Sequence, residues 1–271
     1  MIELDQGPKA DASTNEPSQA KILRQALRPY TSRSDVKALA IFFAFYGNLV
    51  ALVALALYVD NIWLRMICAV SAGGSISALF VIGHDAAHSC YSSSKTLDAV
   101  LGRLALLPAL HNFTLWRIVH NRMHHFELCV QGVNSWSPLS KEEFDRLPGW
   151  RRAMEWLYRS PLGLGPYYFC ERWRKDTFLP SARMRDTRPI QQWLDFAGIL
   201  VFLGMLGVIF WFAAEALKHL SSGEAWFWGF VVPFLVWNYL MGFTVYVQHT
   251  HPLVPWFRTK HDEDQAGIGQ H

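Results

Sequence analysis

Apolar residues in this chain are gathered into four long uncharged stretches and are not spread at helical or strand spacing. The stretches cover residues 38–59, 66–82, 196–214 and 225–247. An α-helix rises about 1.5 Å per residue, so each stretch crosses or nearly crosses a hydrocarbon core of about 30 Å. Buried helices of soluble proteins usually keep polar breaks. We therefore predict an all-α membrane protein with four transmembrane helices.

Two features refine this picture. The second stretch is the weakest, because Arg65 lies near its start and because it contains Gly73 and Gly74 among several serines. Small residues of this kind let a neighbouring helix approach closely. A further apolar stretch, residues 97–110, is too short to span, and we expect it to lie at the membrane interface or to dip into it.

Composition supports the membrane assignment. Of 271 residues, 51% are hydrophobic and 14% aromatic, whereas only 17% are charged, against about 25% in typical soluble domains. This composition excludes a small disulfide scaffold and a largely disordered chain. The four cysteines show no C-x-x-C spacing, so we expect reduced structural thiols.

The positive charges define a topology. Lysine and arginine exceed aspartate and glutamate by 25 to 22, and 22 of the 25 fall in residues 1–36, in 84–192 or after 247. By the positive-inside tendency, both termini and the long middle segment are cytoplasmic, and the protein is integral and multi-pass, in the inner or plasma membrane if it is bacterial. This topology and an anionic leaflet account for the positive charge, so no nucleic-acid partner is expected.

The chain divides at about residue 35. Residues 1–35 are polar and are expected to form a mobile cytoplasmic N-terminus. The first apolar stretch is too long for the core of a cleavable signal, so it should remain as an anchor. Residues 36–271 are expected to form one membrane domain.

Two clusters of histidines are the candidate metal-binding residues. One contains His84 and His88, and the other contains His120, His124 and His125. Residues four apart on a helix share a face, so His84 with His88, and His120 with His124, can each offer two imidazoles to a metal. His125 is turned by about 100° and can complete that site or serve a second metal. Nitrogen ligands suit iron, copper, zinc or nickel, and the glutamate of a zinc-protease H-E-x-x-H motif is absent.

Three other residues are candidates near these clusters. His249 follows the fourth apolar stretch directly and is a candidate ligand. His251 lies two residues further on and would face away from His249 on a helix. Asp85 either hydrogen-bonds a ligand ring and raises its basicity, or is an ordinary aspartate on the helix surface.

Four motifs carry a resemblance to a known family: G-H-D-A-A-H at 83–88, L-x-R-x-V-H-N-x-x-H-H at 115–125, W-S-P-L-S-K-E-E-F-D at 136–145, and Q-H-T-H-P at 248–252. From about residue 35 onward the chain resembles the membrane-bound histidine-box fatty acid desaturases, in particular the acyl-lipid type. The resemblance implies four spans with a cytoplasmic helical cap that carries the histidine boxes.

The resemblance also implies a chemistry. Proteins of this type hold two iron ions (Fe2+/Fe3+), activate O2, and remove two hydrogens from a fatty acyl lipid with electrons from a ferredoxin or a cytochrome b5 type donor. The implied ligands here are the histidines at 84, 88, 120, 124, 125 and 249, with Asp85 supporting them and with no catalytic residue beyond the metal ligands.

The chain departs from the family in one respect. The family has a third box, H-x-x-H-H or Q-x-x-H-H, some tens of residues after the last motif, and no such box occurs before His271. We therefore expect a desaturase domain truncated at its C-terminus. Two alternatives stay open: a hydroxylase, ketolase or epoxidase of the same superfamily, and an inactive membrane protein that binds lipid or a partner.

Overall fold

A computed structural model describes residues 19–124, 127, 129–131, 135–179, 188–251 and 253–266. The α-helices are α1 (Gln19–Leu27), α2 (Asp35–Tyr58), α3 (Ile62–Ala87), α4 (Lys95–Leu106), α5 (Phe113–Ile118), α6 (Lys141–Arg146), α7 (Gly149–Tyr158), α8 (Leu164–Tyr167), α9 (Pro189–Leu217), α10 (Ser222–Trp226), α11 (Val232–His249) and α12 (Lys260–Gln265). Wider π-helical turns occupy Val119–His124, Tyr168–Phe178 and Phe227–Val231, and short 3-10 turns occupy Arg28–Thr31 and Pro161–Gly163. The described part of the chain is therefore predominantly helical.

Four helices are long and apolar enough to cross a membrane: Asp35–Tyr58, Ile62–Ala87, Pro189–Leu217 and Ser222–His249. The last joins α10, a π-helical turn and α11 into one continuous helix. Each overlaps one of the four apolar stretches, so the prediction of an all-α fold with four such helices is confirmed for the described residues. Residues 1–18, half of the N-terminal segment expected to be mobile, lie outside the described residues.

The turn between α2 and α3 explains how Arg65 is accommodated near a helix start. Asn61 caps α3, since its side-chain oxygen accepts the backbone N–H groups of Trp63 and Leu64 at 3.0 Å. The buried Arg65 guanidinium donates to the carbonyl oxygen of Val59 at 2.7 Å. Both contacts satisfy backbone groups that the helix ends leave unpaired.

Helix α3 is the central helix of the bundle. In its most apolar stretch 56% of the residues are buried, against 17% for α2 and 11% for α9. A Cβ placed on Gly73 would lie 2.6 Å from the Cβ of Val236, so the glycine is what lets α11 approach. Since His84 and His249, near the ends of the same two helices, line one cavity, α3 and α11 run in the same direction.

Helices α4 and α5 are tied to α9 by polar contacts. Asp195 accepts a hydrogen bond from the Arg103 guanidinium at 2.7 Å and another from the backbone N–H of Thr114 at 2.7 Å. The fully buried Asn112 caps α5 by accepting the N–H of Leu115 at 3.0 Å, and its amide donates to the carbonyl oxygen of Gln192 at 2.6 Å. These contacts fix where α5 begins and therefore where the residues after it lie.

Candidate metal centre

Three of the predicted ligands come together at the end of α3. His84 lies in the last turn of that helix, His88 is its C-terminal cap, and His120 is in the π-helical turn after α5. Their ring centroids are 4.7 Å (84 to 88), 4.8 Å (84 to 120) and 5.1 Å (88 to 120) apart. One nitrogen from each ring lies within 4.8 Å of the others. This spacing lets three imidazoles bind one cation.

The first motif is positioned by close packing of α3 on α4. A Cβ on Gly83 would lie 2.5 Å from the Leu106 side chain, and a Cβ on Gly102 would lie 2.3 Å from the ring of Phe113. The same Cβ on Gly102 would lie 3.0 Å from the Cβ of Ala86 on α3, so a larger residue at either position would force a neighbouring side chain to move. The helix after Gly83 is therefore held against α4, and its last turn presents His84 on a fixed backbone.

Asp85 lies beside the first histidine. Its Oδ1 atom is 2.9 Å from Nδ1 of His84. An Nδ1–H that donates to this carboxylate leaves the ring's lone pair on Nε2, and such a contact fixes the tautomer and raises the basicity of a ligating imidazole. The Asp85 side chain is also 45% exposed, so its role as a support for a ligand stays a prediction.

The second motif is held by contacts on both of its sides. The indole of Trp116 stacks on the ring of His120 with centroids 4.4 Å apart and an interplanar angle of 13°. The side-chain amide of Asn121 donates to the carbonyl oxygen of Ala87 at 3.1 Å, which links this motif to the end of α3. The turn itself is π-helical, a form often found at functional sites.

His249 lies across the cavity from these motifs. It is the last residue of α11 and is 7% exposed. Its Nδ1–H donates to the carbonyl oxygen of Val245 at 2.8 Å, which leaves the lone pair on Nε2. Among the described residues it is not part of the group whose nitrogens lie within 4.8 Å of one another, but it lines the same cavity.

The remaining predicted residues are placed as follows. The backbone of His124 belongs to the π-helical turn, but its side chain lies outside the described residues, as does all of His125. His251 follows the end of α11, is exposed, and accepts the backbone N–H of Leu253 at 3.2 Å. The prediction that the six histidines ligate metal stays a prediction.

A cavity of about 520 Å³ extends from His84, His120 and His249 between two of the long apolar helices. The α3 residues along it are Ser77, Phe80, Val81, His84 and Asp85, and the α11 residues are Leu240, Met241, Thr244, Val245, Gln248 and His249. On each helix these positions recur at three to four residues and so form one face. The Val81 side chain is 58% exposed, so the cavity opens on the side of the helices that would face lipid.

Trp116, Tyr168 and Arg172 are among the cavity-lining residues that sequence reasoning missed. The position of Trp116, four residues before His120, was a usable signal, because side chains at that spacing meet on a helix. Tyr168 and Arg172 lie in a π-helical segment far along the chain, and no sequence pattern connects them with the histidines.

Behind Tyr168 lies His111, a fully buried histidine. Its Nδ1–H donates to the carbonyl oxygen of Ala109 at 2.9 Å, and its Nε2 accepts the hydroxyl of Tyr168 at 3.2 Å. Burial lowers the pKa of His111 to about 4, although the hydrogen bond to Ala109 opposes that shift. Burial likewise raises the pKa of Tyr168. His111 is therefore neutral at physiological pH and serves as a structural acceptor behind the cavity wall.

Comparison with known proteins gives independent evidence on the family of this chain. The chain is 28% identical over 227 residues to an sn-1 acyl-lipid omega-3 desaturase (ferredoxin) from Nostoc sp. (strain 36), covering 82% of this chain and 60% of the relative. It is 28% identical over 206 residues to an sn-1 oleoyl-lipid 12-desaturase from Picosynechococcus sp., covering 72% and 54%. It is 26% identical over 189 residues to a chloroplastic omega-6 fatty acid desaturase from Spinacia oleracea, covering 69% and 40%.

A match to a family sequence model identifies the family of the chain. The chain spans about 60% of the length of the first two curated relatives. The sequence model described as fatty acid desaturase matches residues 60–268, a range that contains the histidine motifs and three of the four long apolar helices. The chain therefore belongs to the fatty acid desaturase family.

Proposed function

We propose that the protein is a membrane di-iron oxidoreductase that introduces a double bond into a fatty acyl chain carried on a lipid. The observation that carries the proposal is a group of three imidazoles, two of which, His84 and His120, line a cavity that runs between α3 and α11. The acyl-lipid specificity in the names of the relatives supports the same substrate class.

The donor set fits iron. His84 and His249 each have a hydrogen bond at Nδ1 that leaves the lone pair on Nε2, and neutral imidazole is an ordinary ligand for iron. We propose His84, His88 and His120 for one ion, with His124, His125 and His249 contributing to the two-iron site. Bound iron would supply, with O2 and two electrons, the oxidising power needed to remove hydrogen from a methylene group, which no side-chain base can deprotonate.

The cavity would bind and orient the acyl chain. Its volume of about 520 Å³ falls within the range of about 300–1,000 Å³ typical of ligand sites. Phe80, Val81, Leu240 and Met241 give it an apolar wall below the histidines. Because the hydrocarbon part of an acyl chain has no polar groups, contact with this wall and exclusion of water are what would hold its methylenes beside the metal.

The remaining parts of the proposal concern membrane orientation and electron supply. We propose that all four long helices cross the bilayer and that both termini and the segment 84–192 face the cytoplasm, since 22 of 25 positive residues then lie on that side. A ferredoxin is the proposed electron donor, because two relatives carry ferredoxin in their names. A cytochrome b5 type donor is the alternative.

The test is to express the gene in a bacterial host supplied with a plant-type ferredoxin and to measure iron per protein and the acyl composition of membrane lipids. We expect bound iron and new unsaturation, and we expect His84→Ala to lose both. His261→Ala is the matched control, because His261 is exposed on α12, and it should behave as wild type. Hydroxylated or epoxidised acyl chains would replace the desaturase assignment by an oxygenase, and wild-type protein that binds no iron would refute the proposal.

A further inference from the structure

Helix α7 turns one charged pair inward and several large apolar residues outward. Arg151 and Glu155 face the protein and form an ion pair of 3.0 Å, and Glu155 is only 8% exposed. Trp150 and Trp156 point away from the protein and are 66% and 73% exposed, with Leu157 beside them. A helix on a soluble surface shows the opposite arrangement. This outward face therefore fits an apolar neighbour.

The exposed apolar surface continues beyond the helix. Leu162, in the 3-10 turn that follows α7, is 81% exposed. Leu139, Phe144 and Trp156 line an open groove of about 480 Å³ between α6 and α7. A contiguous surface of this kind marks an interaction site. We call it the α7 face, comprising Leu139, Phe144, Trp150, Trp156, Leu157 and Leu162.

The segment after the α7 face packs deep against α11. A Cβ on Gly242 would lie 2.1 Å from the carbonyl oxygen of Leu164, and a Cβ on Gly165 would lie 3.2 Å from the Cα of Tyr239. Backbone therefore meets backbone at this contact. Gly242 lies seven residues before the end of α11 at His249, which is about 10 Å along the helix axis. Leu164 is therefore held about 10 Å from the end of α11, measured along the helix axis.

The surface of α11 beside this contact is apolar and exposed. Its outward residues recur every four positions: Leu235, Tyr239, Phe243 and Val247. On a helix long and apolar enough to cross a membrane, a stripe of this kind is the side that meets lipid. Because α8 lies against Tyr239, the α7 face adjoins a surface that is itself in the bilayer.

We propose that the α7 face is immersed in the membrane interface, so that α7 lies along the leaflet that the long helices cross and Leu162 reaches its acyl chains. Tryptophan favours the level of the lipid headgroups. Arg146 and Arg152 are exposed on and next to α7, where they meet anionic headgroups. The segment 149–167 is thus a lipid-anchored element that braces the cavity wall formed by α11.

An acidic electron-donor protein is the other partner that arginines of this kind would attract. A lipid leaflet fits better, because the tryptophans and leucines protrude and because the α7 face adjoins the lipid-facing stripe of α11. The two partners make different predictions for a purified protein in a bilayer with no donor present. The experiment does not need enzymatic activity, so it is independent of the proposed function.

The test adds one cysteine at a time for a fluorophore to the protein with Cys90→Ser and Cys170→Ser, since these two cysteines are exposed and half-buried whereas Cys68 and Cys129 are buried. The labelled positions are Trp156→Cys and Leu162→Cys, with Glu142→Cys on the exposed side of α6 as the matched control. The protein is reconstituted in nanodiscs of phosphatidylcholine and phosphatidylglycerol. Quenching by brominated phosphatidylcholine is compared with quenching by aqueous iodide. The fluorescence of the parent protein, which has no added cysteine, is subtracted to correct for labelling of the remaining thiols.

We expect brominated lipid to quench the labels at 156 and 162 roughly twofold or more above the control label at 142. We expect iodide to quench the control label more strongly than the other two by a similar factor. Equal access of iodide to all three positions would overturn the proposal. So would labels at 156 and 162 that stay open to iodide in the bilayer and are shielded only when a ferredoxin is added, because that result assigns the α7 face to a protein partner.

Discussion

Acidification should destabilise the protein through His111. The ring is fully buried, and its pKa is lowered to about 4 from 6.5, so the folded chain keeps it neutral while the unfolded chain binds a proton. A lowered folded-state pKa gives stability that is complete above pH 6.5 and is lost as pH falls towards 4. The slope is about 1.4 kcal/mol per pH unit, so the loss between pH 7 and pH 4 is about 3 kcal/mol.

The variant His111→Gln isolates this contribution, because glutamine keeps a polar side chain and does not titrate. Equilibrium unfolding in mixed micelles, followed by circular dichroism from pH 7 to 4, gives the free energy of each protein. We expect the advantage of wild type over the variant to shrink by about 3 kcal/mol across that range. The exposed variant His261→Gln controls for the loss of any histidine and should follow wild type.

A constant free-energy difference between wild type and His111→Gln from pH 7 to pH 4 would refute the reasoning. It would mean that His111 binds protons equally well in the folded and unfolded chain. The hydrogen bonds of its ring to Ala109 and Tyr168 would then lie in a site open to water.

Three further predictions concern packing and charge. Gly242→Ala should destabilise the fold by about 1–3 kcal/mol, because the added methyl group pushes α8 away from α11. The control Gly204→Ala on α9 has no atom within 4 Å of the added Cβ and should be neutral or stabilising. Equal melting temperatures of the two variants would contradict this. Asp195→Ala should cost about 1–3 kcal/mol, since it removes the acceptor of the partly exposed Arg103 guanidinium and of the Thr114 N–H, and a loss below about 0.5 kcal/mol in denaturant would contradict it. Burial raises the pKa of Glu171, but hydrogen bonds from arginine and lysine outweigh it and hold that pKa below 4.5. Wild type should therefore lose stability relative to Glu171→Gln as pH falls below 4.5, and parallel pH curves would disprove this.

The parts of the site that sequence could predict are those fixed by a single helix. His84 and His88 share a face because α3 continues past its apolar stretch as a rigid helix, and the spacing of four residues was visible in the sequence. The four long helices were likewise visible, since hydrophobic length alone determines them.

The approach of His120 to that pair could not be predicted in the same way. It depends on where α5 begins, and this is set by Asn112 and Thr114, which are hydrogen-bonded to α9 some 80 residues later in the chain. It also depends on a π-helical turn, which shifts the direction of every side chain after Val119. Contacts between distant segments leave no periodic signal in a sequence.

The two properties that the proposed activity needs, access for an acyl chain and a fixed histidine group, are carried by the same helices. Glycines set how α3 meets α11 at Gly73 and how it meets α4 at Gly83, while the same α3 backbone carries His84 and His88 at its end. A cavity wall and a pair of imidazoles carried by one helix move together. We therefore expect a substitution at Gly73, about 16 Å along the helix from His84, to alter the shape of the cavity and the position of the imidazoles at once.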